Sequence, residues 1–154
     1  MEKRIDFRID EYKEGDMEGV IDAIDTTLRD IGVISKTAEK IDNDDLFKIP
    51  EVYSGRGRFW VAKVGKKIIG TVAVKEVDEQ TVVLNRMFVL VEYHGSGLGQ
   101  KLFDVAIDFV REQSFKKMIL DTDKAMSRAH RFYEKNGFVR VGESGSKYLY
   151  EIVL

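Results

Sequence analysis

Glu92-Tyr93-His94-Gly95-Ser96-Gly97-Leu98-Gly99 is the stretch that decides how this chain is read. Before it runs Thr81–Val91, long and rich in β-branched residues, which predicts a strand. After it, Leu98, Leu102, Val105, Ala106, Phe109 and Val110 recur at helical spacing as one apolar stripe. Three glycines between a strand and a helix let the backbone take positive φ and come close to a ligand. The helix start beyond them offers unpaired N–H groups and the positive end of a dipole, which together suit phosphate oxygens. The spacing is G-x-G-x-G. It matches neither the dinucleotide G-x-G-x-x-G nor the P-loop, since Gln100-Lys101 follows Gly99 where a Lys-Ser/Thr pair would stand. Taken alone, such a cluster is also an ordinary strand-to-helix turn.

Upstream, Ile5–Tyr12 alternates apolar and polar residues and predicts a half-buried strand. Met17, Val20, Ile21, Ile24, Leu28 and Ile31 then fall at helical spacing, with Asp16 placed to cap the start. Residues 32–55 are irregular and polar, with a short helix at Asp42–Lys48 ahead of Pro50. Phe59–Val64 and Ile68–Val77 form a hairpin across Gly65-Lys66-Lys67. Downstream, Lys117–Thr122 is a short strand. Ala125–Asn136 is a second amphipathic helix with Ala125, Ala129, Phe132 and Tyr133 on one face, and Asn136-Gly137 stops it. Phe138–Val141 and Lys147–Val153 close the chain as strands. The order predicts an α/β (α+β) fold over residues 1–154 as a single domain. Its centre is a mixed, mostly antiparallel sheet of about seven strands with helices on both faces. The one parallel pair lies around residues 81–122.

Composition narrows the chemistry. The 154 residues are 44% hydrophobic and 34% charged, an ordinary folded profile. No apolar run approaches the roughly 20 residues of a membrane span, and the first residues lack a signal peptide's apolar stretch, so the expectation is a cytoplasmic protein with no membrane partner. There is no cysteine, which excludes disulfides, thiolate metal sites and a Cys nucleophile. Two histidines, His94 and His130, are too few for a His-rich metal site, so no metal is expected. A net charge of −2 argues against general nucleic-acid binding. The charge is uneven: residues 1–54 hold 15 acidic against 8 basic side chains, and residues 55–154 hold 12 against 17. That division suits a C-terminal half that meets an anion and an N-terminal half that meets a cation.

Two segments in register resemble a known family. His94-Gly95-Ser96-Gly97-Leu98-Gly99 is similar to the pyrophosphate loop Q/R-x-x-G-x-G/A of the GNAT N-acetyltransferases. Ala129-His130-Arg131-Phe132-Tyr133-Glu134-Lys135-Asn136-Gly137-Phe138 resembles the family's A-x-x-F-Y-x-K-x-G-F segment. The order of elements is also that of the family. The resemblance implies acetyl-CoA as co-substrate, with its pyrophosphate at His94, Gly95, Ser96, Gly97, Leu98, Gly99 and Gln100. It implies a pantetheine arm on main-chain groups near Phe88 and Val89, lying in a gap between Thr81–Val91 and Lys117–Thr122. It implies Tyr133 as the acid that protonates the leaving thiolate. An amine acceptor would attack the thioester directly, in keeping with a chain that lacks Cys.

Three positions depart from the family pattern, His94, Val83 and Met126, the last standing where many members carry Asn ahead of the A-x-x-F-Y segment. His94 replaces Gln or Arg; a neutral His ring can still donate one hydrogen bond but lacks the guanidinium's fork and fixed charge, and the other reading is a surface side chain whose backbone N–H does the binding. Many members carry a Glu as general base on the strand before the loop, and the equivalent position here is Val83. Glu76, Asp78, Glu79 and Asp121 are the nearby carboxylates that could act in its place through water; Glu92 is expected to be exposed. By location, Asp44, Asp45, Glu51 and Tyr53 are candidates for the acceptor site. The acceptor is a small primary amine in the first reading and a protein N-terminus or lysine in the second. A CoA-binding regulatory module without catalysis is a third, and a structural interaction domain a fourth. Family members often pair through their C-terminal strands, which makes a homodimer an option.

Overall fold

The computed structural model describes residues 6–34 and 43–154. Seven strands form one sheet in the order β1-β2-β3-β4-β5-β7-β6. β1 (Arg8–Glu11), β2 (Arg58–Val64), β3 (Lys67–Glu76) and β4 (Thr81–Val89) pair antiparallel in sequence order. β5 (Lys117–Asp123) lies parallel to β4, and β7 (Lys147–Val153) is antiparallel to both β5 and β6 (Val139–Ser144). The mixed, mostly antiparallel sheet expected from the order of elements is the one observed. Ile5 and Asp42, at the edges of two predicted elements, lie outside the described residues.

Among the described residues, four helices cover the two faces. α1 is Met17–Asp30, α2 Ile49–Val52, α3 Leu98–Glu112 and α4 Ser127–Lys135. Phe59 and Trp60, neighbours on β2, point to opposite faces, as alternation along a strand requires. Tyr53, which follows α2, packs edge-on against Phe59, while Phe109 of α3 packs against Trp60. α1 meets β3 where Gly19 approaches Ile68, on the Phe59 face. α4 shares the face of α3, through Phe103 against Phe132 and Phe138.

Several elements differ from the expectation for physical reasons. Asp16 does not cap α1 through its side chain. Its carboxylate accepts the Lys13 N–H at 2.9 Å and pairs with Lys63 Nζ at 2.8 Å, tying the helix entry to β2. The buried stripe of α3 is Leu98, Leu102, Phe103, Ala106, Ile107 and Val110; Val105 and Phe109 sit at its rim. Residues predicted as a helix before Pro50 form a 3₁₀ turn, Asp44–Phe47, and Pro50 itself lies in the first turn of α2, where its missing N–H costs nothing. Thr81–Val91 stops as a strand at Val89, and Val91–Tyr93 makes a 3₁₀ turn into the glycine loop. α4 ends as predicted: Gly137 has φ 98°, its N–H reaches Glu134, and the Phe138 N–H reaches Tyr133. That pair of bonds closes a Schellman motif.

Candidate active site

The site begins with a bulge. β4 matches β3 residue for residue up to Asn85 opposite Ala73, then carries one extra residue before Phe88 meets Thr71. The extra residue is accommodated at Arg86, whose φ is 52°. For a non-glycine residue that conformation costs roughly 1–2 kcal/mol, and its neighbours supply the restraint. The Thr71 hydroxyl donates to the Arg86 carbonyl at 2.6 Å. The Arg86 guanidinium donates through Nε and Nη2 to the two carboxylate oxygens of Asp45. Tyr53 donates its hydroxyl to the same carboxylate at 2.7 Å. Burial pushes the Asp45 carboxyl up, but the bonds from Arg86 and Tyr53 and the Arg86 charge outweigh it, leaving it below the ordinary carboxylate range.

A bulge bends its strand, and here β4 swings away from β5. The two pair over three rungs only, Thr81 with Lys117, Val82 with Met118 and Val83 with Ile119. Beyond that fork β4 stays on β3 and β5 stays on β7. The Leu90 N–H goes to Ile69 of β3, and the Phe88 carbonyl also lies against β3. By alternation, the N–H and C=O of Val89 face the gap. Such groups need a partner unless they meet solvent or ligand.

A cleft of about 510 Å³ occupies the gap. Met87, Phe88 and Val89 form one wall, and Ala125–Ala129, Phe132, Tyr133 and Lys135 another. The glycine loop and Gln100 close one end, and Thr27, Ile31 and Val33 of the α1 side line it too. The structure therefore brings Phe88, Val89, His94, Gly95, Gly97, Gly99, Gln100 and Tyr133 onto one cleft. Ser96 and Leu98 stand apart. The Leu98 side chain is fully buried beneath α3, and the Ser96 hydroxyl accepts the Leu98 N–H at 3.3 Å.

The loop supplies donors in a different way from the one expected at His94. The His94 N–H is spent on the Val91 carbonyl, and that of Ser96 on Tyr93. Gly95, Gly97, Gly99 and Gln100 keep main-chain N–H groups with no protein partner among the described residues. Gly95 and Gly97 have φ of 79° and 87°, which only glycine adopts readily. The His94 ring is not a surface group: Nε2 donates to the Val89 carbonyl at 2.9 Å, pinning the loop to the end of β4. The Gln100 side chain bonds Asp104 and Asn136 and so ties α3 to the end of α4.

Tyr133 reaches the cleft from α4, enclosed by Phe132, Phe138 and Tyr150. Its hydroxyl has no hydrogen-bond partner among the described residues. Burial, and after it the negative charge of Asp121, raise the phenol above its ordinary pKa, so it holds its proton at any physiological pH. Sequence periodicity missed His130 in the face of α4. It is buried, donates to the Asp123 carbonyl at 2.8 Å and packs on Tyr148 and Tyr150. Asp45 and Tyr53 face each other and Arg86, and neither they nor Asp44 and Glu51 line the cleft. No cluster of His, Asp and Glu suited to a metal occurs among the described residues, and no helix is long and apolar enough to cross a membrane.

Residues 25–138 match the model of the acetyltransferase (GNAT) family. The chain belongs to the GNAT family. It is 36% identical over 87 residues to the N-acetylaspartate synthetase of Danio rerio, covering 56% of this chain and 31% of that protein. This GNAT chain spans between about a third and a half of the length of the curated relatives it matches first. An acetyltransferase from Streptococcus agalactiae superposes with a TM-score of 0.85 at 28% identity, over 96% of this chain and 98% of its own. The PaiA N-acetyltransferase of Thermoplasma acidophilum, solved in complex with coenzyme A, has the same TM-score at 19% identity, over 97% and 100%. At that identity the likeness concerns the fold.

Proposed function

We propose that this chain transfers an acetyl group from acetyl-CoA to the primary amine of a small molecule, by direct attack of the amine on the thioester. One observation carries the reading: the parted strands expose a β4 edge that runs into a glycine-bearing helix start with unpaired N–H groups. An extended chain ending in a phosphate group fits that combination, as an added strand fits a sheet edge. The coenzyme A complex of a GNAT-fold neighbour supports it. A relative named N-acetylaspartate synthetase supports a small acceptor over a protein one.

In this reading the N–H groups of Gly95, Gly97, Gly99 and Gln100 hold the pyrophosphate, and Arg128 and Lys135 on the cleft wall add positive charge. The Val89 N–H binds the pantetheine amide oxygen; its carbonyl is held by His94. Apolar walls from Met87, Phe88 and Phe132 exclude water from the thioester. The amine nitrogen forms the C–N bond as the C–S bond breaks. Tyr133 donates a hydrogen bond to the departing sulfur and passes it a proton, which the nitrogen of the adduct returns to the phenol. No covalent enzyme intermediate forms.

Isothermal titration with acetyl-CoA, followed by thiol release across L-lysine, spermidine, glucosamine and L-aspartate, tests the reading. Saturable binding and release with one amine are expected. Absence of acetyl-CoA binding overturns it.

A further inference from the structure

With acetyl transfer granted as above, one proton remains without an acceptor, because the position expected to carry a base is Val83. Val83 sits on the last rung before the fork, opposite Ile119. It shares the α1 face with Asn85, which bonds Tyr53. Asp121 lies two residues beyond Ile119 on β5, hence on that same face and about 6–7 Å past the point where β4 departs. Tyr133 approaches β5 from the opposite face. The two groups thus lie on opposite faces of β5 beside the fork, Tyr133 lining the cleft and Asp121 not among its lining residues, close enough that Tyr133 feels the Asp121 charge.

The other carboxylates near the sheet are disposed of by their positions. Glu76, Asp78 and Glu79 belong to the β3–β4 turn, at the closed end of the fork. There Glu76 pairs with Arg56, and Asp78 accepts the N–H groups of Gln80 and Thr81. Glu92 is exposed, as expected, and pairs with Lys67. Asp123 accepts the Ala125 N–H in the turn before α4. Glu151 lies beside Ile119, on the closed side, and reaches Lys117 at 3.9 Å. Asp45 is held by Arg86 and Tyr53. Among the described residues Asp121 has one loose partner, Lys147 Nζ at 3.3 Å, with both side chains more than half exposed. Such a pair is worth about 0–1 kcal/mol and does not hold the carboxylate in place.

We propose that Asp121 is the general base that deprotonates the acceptor ammonium at the mouth of the fork. One N–H bond of the R–NH₃⁺ group breaks and an O–H bond forms on Asp121, freeing the lone pair that attacks the thioester carbon. Asp121 then releases that proton to solvent. The second proton lost from nitrogen ends on the thiol through Tyr133. The sum is ammonium plus thioester giving amide, thiol and one proton.

The test compares wild type, Asp121→Asn, Asp121→Glu and Lys147→Met, using whichever amine of the panel releases thiol fastest, from pH 6 to 10. The expected result for Asp121→Asn is unchanged acetyl-CoA affinity and a loss of about 10²-fold in kcat/KM for the amine at pH 7. That loss shrinks as pH rises toward 10, where a growing share of the amine arrives neutral. Asp121→Glu recovers part of the rate, and Lys147→Met stays near wild type. Parity of Asp121→Asn at pH 7, a loss equal at every pH, or an equal loss in Lys147→Met overturns the assignment while transfer itself stands. A wild-type chain that binds acetyl-CoA but acetylates none of the amines overturns the transfer reading, and this assignment with it.

Discussion

Tyr133 illustrates how one side chain can be tuned by its surroundings. A phenol raised by burial and by the Asp121 charge is a weaker acid than an ordinary thiol, whose pKa is near 8.5. In the proposed reaction its contribution is therefore a hydrogen bond to sulfur that becomes proton transfer only as the C–S bond breaks. Tyr133→Phe is expected to lower kcat by about 10–10²-fold and leave acetyl-CoA affinity within twofold, measured by thiol release and calorimetry. The working form is the protonated one, and it is lost only above the raised pKa. The wild-type rate should accordingly show no alkaline limb up to pH 10; a falling limb between pH 8 and 9 would place the acid elsewhere. Asp45 is tuned in the opposite direction. Its folded carboxyl lies below the ordinary value, so its contribution to stability is complete above about pH 4. That contribution fades as pH falls through the lowered value. The gap in urea midpoint between wild type and Asp45→Asn should thus be widest at pH 7 and narrow as pH falls through the lowered value. A gap that is constant with pH would remove the Arg86 pair as its source.

Among the elements, the start of α3 separates folding from binding. Gly97 needs its positive φ for the turn, so a change there confounds the two. Gly99 does not: it is helical, and an added Cβ would meet only Val89 Cγ2, at 3.9 Å. Gly99→Ala should fold at least as well, gaining up to about 1 kcal/mol of helix propensity, while placing a methyl on the cleft wall. A Tm equal to or above wild type with acetyl-CoA affinity weakened tenfold or more is the expected pair of results; undiminished affinity would move the phosphate away from this helix. The loop and α3 were legible because their determinants are local: glycines, a helical stripe and a strand before them. The Asn136-Gly137 stop was legible for the same reason. The bulge was not. Thr81–Val91 reads as an unbroken strand, and the left-handed turn at Arg86 is held by Asp45, 41 residues away in sequence. The partner of the His94 ring was hidden on the same account, since the Val89 carbonyl becomes available only once β4 leaves β5. The acidic excess before residue 55 pointed to an amine site, yet its best-placed carboxylate is consumed in building the bulge.

At the scale of the whole molecule, the split makes one opening serve two faces of a sheet. The glycine loop, α3 and α4 approach it from one side, and α1 with the turn before α2 from the other. Thr27 and Ile31 of the α1 side line the same cleft as Tyr133 of α4, so the opening connects the faces. A cofactor arm laid along β4 and an amine entering from the α1 side can then be present together, with the reacting carbon between them. Holding both reactants at contact distance is itself a large part of such catalysis. No cysteine offers a way station for the acetyl group, and Tyr133 has its proton to give rather than an oxyanion to acylate. Steady-state rates with acetyl-CoA and amine varied together should therefore give intersecting double-reciprocal lines, and thiol should not be released before amine is added. Parallel lines with a burst of about one thiol per chain would mean that the acetyl group rests on the protein between two half-reactions, and the two-faced opening would then lack its purpose.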